Sequence, residues 1–270
     1  FKQFHIGHLM SNAIGESLSR LMEFSGADLR RANYQGDVGL HVAKSIYGLK
    51  KLFEERNSSM DNLASLDLDS RVKFMGEAYA LGAGEYEEKA ETKKEIEDLN
   101  EKIYAKADGE INAIYDLGRK WSLEYFEKIY EKLGTKFDEY FFESEVGPLG
   151  LKQVKENLSK GVFEESQGAV IFVGEKYDLH TRVFINKLGL PTYEAKDLAL
   201  MGIKFERFPY EKSVIVTANE INEYFKVILK VARMINPELA EKTVHVGHGI
   251  KRKKNGKMSS RTGQVVTGES

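Results

Sequence analysis

His5 and His8 stand three residues apart, one turn of a helix, with Gly7 between them. Glycine removes a side chain at that point, so a flat base or a ribose can lie against the backbone. Leu9, Ala13, Leu18, Leu21 and Met22 follow at helical spacing, which predicts a helix behind the pair. Both imidazoles then sit at a helix N-terminus, where unpaired N–H groups and the helix dipole attract phosphate. Almost the whole chain away lies Gly256-Lys257-Met258-Ser259-Ser260-Arg261. A Gly/Ser-rich loop of this kind can close on a triphosphate and supply cationic charge from Lys257 and Arg261. Taken alone, the histidines read as surface residues at a helix start, and the pairing with the second string is what turns them toward phosphate chemistry. Spacing of three also suits a metal, but no third ligand is near and the chain has no cysteine, so no metal site is assigned.

A second group of residues is suited to gripping a cation. Tyr193 and Asp197 are four apart in Pro191-Thr192-Tyr193-Glu194-Ala195-Lys196-Asp197, a stretch that reads as a helix start. At that spacing a phenol and a carboxylate share one face and can hold a guanidinium through charge-assisted bonds. The plainer alternative is a first-turn acid that offsets the helix dipole. His245-Val246-Gly247-His248-Gly249 places glycines beside a predicted strand end, where they permit close backbone approach. The alternative there is a tight strand-to-loop turn.

Positioning these groups needs an α/β frame. Residues 1–60 read as a helix, a short strand near Arg31–Tyr34 and a helix from about Gly39 to Glu55. Residues 61–136 read as helical: Ile96, Leu99, Ile103, Ala107, Ile111, Ile114, Leu117 and Trp121 step by three or four along one face. Glu85 with Lys89 and Asp98 with Lys102 form favourable i,i+4 pairs. Residues 137–270 return to strand and helix. Val170–Val173, Val214–Val216 and Val244–Val246 are short, apolar and β-rich, as buried parallel strands are. Between them helices are predicted over Leu179, Phe184 and Leu188, and over Ile221, Tyr224, Phe225, Ile228, Leu229 and Ala232.

Together the two strings resemble the His-Ile-Gly-His and Lys-Met-Ser-Lys-Ser signatures of class I aminoacyl-tRNA synthetases. With Phe1-Lys2-Gln3-Phe4-His5-Ile6-Gly7-His8-Leu9, Tyr34-Gln35-Gly36-Asp37-Val38-Gly39 and Lys257-Met258-Ser259-Ser260-Arg261-Thr262-Gly263, the resemblance narrows to the arginyl-tRNA synthetases and covers essentially the whole chain. It implies a Rossmann-like α/β nucleotide-binding domain with a parallel sheet. The helical segment over 61–136 would be its connective polypeptide, inserted between halves at 1–60 and 137–270.

By the same resemblance the chain is an arginine–tRNA ligase. His5, His8, Lys2, Lys257 and Arg261 are catalytic, and Gly7, His245, Gly247, His248, Met258, Ser259 and Ser260 bind ATP. Tyr193, Asp197, Glu143 and Asn219 bind arginine. Ser260 stands where the family signature has its second lysine, and Lys2, three residues before His5, matches the lysine that many arginyl enzymes carry instead. ATP is a substrate and Mg²⁺ accompanies it. Arginine and its tRNA are the other partners, with a monomer in the cytoplasm and no membrane expected. Another class I synthetase and a nucleotidyltransferase without tRNA are the alternatives.

Composition agrees with a globular protein: 270 residues, 41% hydrophobic and 30% charged. A net charge of −2 confines any RNA contact to local patches such as Lys251-Arg252-Lys253-Lys254. The start at Phe1 and the stop just past the second string read as a piece of a longer protein.

Overall fold

A computed structural model describes residues 4–250, which fall into two compact units. One holds residues 4–13 and 36–136, the other residues 14–35 and 137–250.

The first unit is helical. It contains the start of α1 (Ile6–Phe24), then α2 (Leu40–Glu55), α3 (Met60–Ala64), α4 (Leu68–Glu88), α5 (Ala90–Ala105) and α6 (Gly109–Leu133). α2 buries Val42, Ala43, Ile46, Leu49 and Leu52, at the 3.6-residue period of a helix that packs on one side. Side-chain caps start the helices where the sequence offers short polar residues: Ser59 caps α3, Asp67 caps α4 and Asp108 caps α6. The apolar stripe from Ile96 to Trp121 does not run along one helix. The chain breaks at Lys106, which adopts a left-handed conformation (φ 50°), and restarts at the Asp108 cap. Ile96, Leu99 and Ile103 are then buried from α5, and Ile111, Ile114 and Trp121 from α6. Lys89 pairs with Glu85 at 2.6 Å as the spacing predicts, while Lys102 reaches the capping Asp108 at 3.6 Å. Asp37, in the turn before α2, is buried against Arg119 (2.9 Å) and the Tyr115 hydroxyl (3.2 Å) of α6.

The second unit carries the strands. β1 (Ala32–Gln35) pairs in parallel with β2 (Glu139–Phe142), and β6 (Ser213–Ala218) pairs in parallel with β7 (Thr243–His248). Between them lie α7 (Glu143–Leu158), β3 (Glu164–Ser166), β4 (Ala169–Phe172), β5 (Arg182–Ile185) and α8 (Tyr193–Arg207). α9 (Asn222–Ile235) and α10 (Pro237–Lys242) link β6 to β7. β6 and β7 are thus two parallel strands joined through helices, the connection a parallel pair requires. The core gathers Phe163, Phe172, Phe184, Leu198, Met201 and Ile228. Arg31, just ahead of β1, is clamped by Glu16 (2.9 Å) and Glu23 (2.7 Å) of α1. Leu21 and Met22 of that helix stay exposed although their spacing is helical.

Two expectations are corrected here. β4, predicted as a parallel strand, is the middle of an antiparallel sheet ordered β3-β4-β5. The helix predicted over Leu179–Leu188 is the strand β5, followed by a turn at Gly189 (φ 75°). Phe184 and Ile185 are adjacent and both buried, a pattern that short apolar runs share between strand and helix.

Candidate active site

His5 ends the approach to α1, and its carbonyl accepts the N–H of His8 (2.9 Å) and of Leu9 (3.1 Å). The two imidazoles stack, with ring centroids 3.7 Å apart and planes 18° from parallel. Each accepts a backbone N–H at Nδ1: His5 from Gly7 (3.1 Å), His8 from His5 (3.3 Å). A neutral ring that accepts at Nδ1 carries its proton on Nε2, so each histidine keeps an Nε2–H donor of the kind a phosphate oxygen accepts. Gly7 leaves room for this arrangement: a Cβ there would lie 2.9 Å from Cε1 of the His5 ring and would shift it. Phe4 is buried beside the pair, between His8, Phe126 and Tyr130.

In the second unit, Tyr193 opens α8 as expected and is 55% exposed as a residue. Asp197, one turn on, is partly buried, and its carboxylate Oδ2 accepts the Tyr224 hydroxyl at 2.6 Å. Desolvation raises the Asp197 carboxyl to about 6, against the pull of Tyr224 and of the Lys204 and Lys196 charges. Burial likewise lowers Lys204 to about 8, although Asp197 opposes that shift.

Glu143 starts α7, and its carboxylate bonds Lys196 Nζ at 2.6 Å, with the two side chains 6% and 4% exposed. The Lys196 ammonium also lies 5.3 Å from the centre of the Tyr193 ring. The structure therefore gives Glu143 a cation from the protein itself, between Tyr193 and Asp197 in sequence. α7 and α8 approach closely at this point: a Cβ on Gly150 would lie 2.4 Å from the Ala195 carbonyl oxygen. Gly150→Ala should therefore push back the first turn of α8. We expect a loss of about 1–3 kcal/mol in stability, read by thermal melting.

Asn219 is exposed just beyond β6, and His248 ends β7 opposite Ala218 in the parallel register. The structure thus brings Asn219, Gly247 and His248 to the carboxyl ends of two neighbouring strands, where open α/β sheets bind ligands. His245 lies earlier on β7, with Nε2 2.7 Å from Thr217 Oγ1 and its ring stacked on Phe225 at 4.0 Å. Burial lowers its pKa, which favours the neutral ring. Lys2, Lys257, Met258, Ser259, Ser260 and Arg261 lie outside the described residues, as does the Lys251–Lys254 run.

Sequence reasoning missed Lys196 and Tyr224. Lys196 stands inside the Tyr193–Asp197 string, but its burial and its pairing with Glu143 are not visible in the sequence. Tyr224 read only as one member of the apolar stripe of α9.

The described residues thus form a mixed α/β fold with two parallel strand pairs and a histidine pair at a helix start. The family model for class I (R) tRNA synthetase catalytic domains matches residues 1–269, and the chain belongs to that family. It is similar to the arginine–tRNA ligases of Treponema pallidum (31% identical) and Treponema denticola (30%), each over 269 residues, 98% of this chain and 44% of the relative. The chain thus spans less than half the length of these relatives. The crystal structure of arginyl-tRNA synthetase from Plasmodium falciparum matches with a TM-score of 0.69 at 23% identity, covering 92% of this chain and 41% of that one. That likeness speaks for the fold. No described helix is long and apolar enough to cross a membrane.

Proposed function

We propose that this chain is the catalytic domain of an arginine–tRNA ligase. Support comes from family membership, from relatives named as arginine–tRNA ligases, and from the residues of α8. The observation that carries the choice of amino acid is the first turn of α8. There an ionisable carboxylate, Asp197, sits in a desolvated setting one turn from the exposed phenol of Tyr193. A planar cation with several N–H donors satisfies such a carboxylate better than a point charge does.

In this reading the arginine carboxylate attacks the α-phosphate of ATP, which enters with Mg²⁺, and pyrophosphate leaves. The arginyl group then passes to the terminal adenosine of its tRNA. No side chain acts as a covalent nucleophile, and the protein contributes position and charge. His5 and His8 donate Nε2–H to phosphate oxygens, and Gly7 keeps their rings stacked. Lys2, Lys257 and Arg261 supply cationic charge, with Met258, Ser259 and Ser260 on the same ATP loop. His245, Gly247 and His248 receive the adenosine, and Asn219 the amino end of arginine. Glu143 acts through Lys196, as the buried counter-ion that holds α7 to α8. Residues 61–136 form the connective polypeptide between catalytic halves at 1–60 and 137–270, and the enzyme works as a monomer in the cytoplasm.

The test is pyrophosphate exchange by the full-length protein with a panel of amino acids, with and without arginine tRNA. We expect exchange with arginine and charging of that tRNA. Exchange with another amino acid would assign a different class I synthetase, and nucleotidyl transfer without tRNA charging would assign a stand-alone nucleotidyltransferase.

A further inference from the structure

The first turn of α9 touches three functional groups of its unit at once. Tyr224 donates its hydroxyl to Asp197 Oδ2 at 2.6 Å. Phe225 stacks on His245 at 4.0 Å with planes 13° apart. Asn222 packs so tightly on β7 that a Cβ at Gly247 would lie 2.2 Å from its Oδ1. We propose that Tyr224 is a positioning residue of the arginine site: its hydroxyl orients the Asp197 carboxylate for the guanidinium, and the flanking Asn222 and Phe225 tie that carboxylate to strand β7. The proposal rests on the assignment of Asp197 to the guanidinium made above.

Aspartate needs such a partner because its terminal torsion is broad, so the rotamer alone does not set the plane of the carboxylate. A short bond from a phenol to one oxygen sets it, and leaves Oδ1 and a second lone pair on Oδ2 for the ligand. The Tyr224 ring is itself held. Phe225 meets it edge-on at 5.3 Å, and the Arg182 guanidinium lies 5.6 Å from its centre, near Glu194 at 3.7 Å. Phe225 in turn is pinned through His245 to Thr217 of β6. Burial also raises the Tyr224 phenol, so it stays protonated and can only donate to the carboxylate.

The charged groups around Asp197 are Glu194, Lys196 and Lys204 on α8 and Tyr224 on α9. Lys196 is occupied by Glu143 of α7, and Arg182 of β5 by Glu194. Of these, Tyr224 hydrogen-bonds the carboxylate, and that bond favours the ionised form. Removing it raises the pH at which Asp197 protonates.

Tyr224→Phe in the full-length protein tests this through arginine-dependent pyrophosphate exchange between about pH 5.5 and 8, with Asp197→Asn assayed in parallel. We expect the arginine KM to rise roughly tenfold at neutral pH, as for loss of a hydrogen bond to a charged group. The ATP KM should stay within about twofold, and the pH below which the arginine KM climbs should move upward. If Asp197→Asn raises the arginine KM while Tyr224→Phe changes neither KM nor pH profile, the positioning role is overturned and the arginine site stands. Equal losses in both KM values with an unmoved pH profile would reduce Tyr224 to a packing residue. If Asp197→Asn leaves the arginine KM unchanged, the site assignment itself falls, and this proposal with it.

Discussion

With Asp197 on the guanidinium as proposed, Asp197→Asn should raise the arginine KM of the full-length protein by roughly 10²–10⁴-fold, because removing one partner of a desolvated charge pair costs about 3–5 kcal/mol. The ATP KM should change little. The substitution keeps the shape of the side chain but turns one acceptor oxygen into an NH2 donor, so it removes the charge and one acceptor together. Steady-state pyrophosphate exchange measures it, and an unchanged arginine KM would remove Asp197 from the site. The wild-type protein should show the same dependence on pH. Burial raises Asp197 from its ordinary 3.8 to about 6, so in the proposed role arginine binding should weaken as pH falls through about 6. Its effect on folding has the opposite sign. A carboxyl raised in the folded state favours the protonated form. Its contribution is therefore full below about 4 and lost as pH rises through about 6.

The second large effect is expected at Lys196. Its ammonium and the Glu143 carboxylate are almost wholly buried 2.6 Å apart. Lys196→Met takes a buried, directly bonded ammonium away from that carboxylate, at a cost of about 3–5 kcal/mol. For a domain of this size that lowers the melting temperature by roughly 6–20 °C. Replacing both partners, with Glu143→Leu added, should recover most of the loss, since an apolar pair of similar volume is often neutral or better. Calorimetry on the wild type, the single and the double variant decides it. A double variant as unstable as the single would mean that the pair is not a closed unit, and that Glu143 serves another cation.

How far the sequence reaches is clearest residue by residue. Helices α1, α2 and α9 were legible because each repeats its apolar residues at the helical period over three turns or more, whereas only the start of α8 was read, from Tyr193 and Asp197. β6 and β7 were legible because short runs of β-branched residues lie between helix-ending signals, and β1, Ala-Asn-Tyr-Gln, because it fills the short stretch between two helical patterns. β5 was not, since four residues with two adjacent buried side chains carry no period. The direction of β4 was not either, because apolar content reports burial and not the strand's neighbour.

The same boundary divides the candidate site. Motif spacing alone was enough to assign His5, Gly7 and His8 to a helix start, and Tyr193 with Asp197 to the first turn of another. Those assignments depend on contacts within four residues, which local geometry dictates. Only the tertiary structure joins Lys196 to Glu143, 53 residues away, and Tyr224 to Asp197, 27 residues away. A single sequence does not encode such pairings as a pattern. They arise when α7, α8 and α9 pack through their apolar faces and leave a few polar side chains to satisfy one another in the interior, where an unpaired charge is costly.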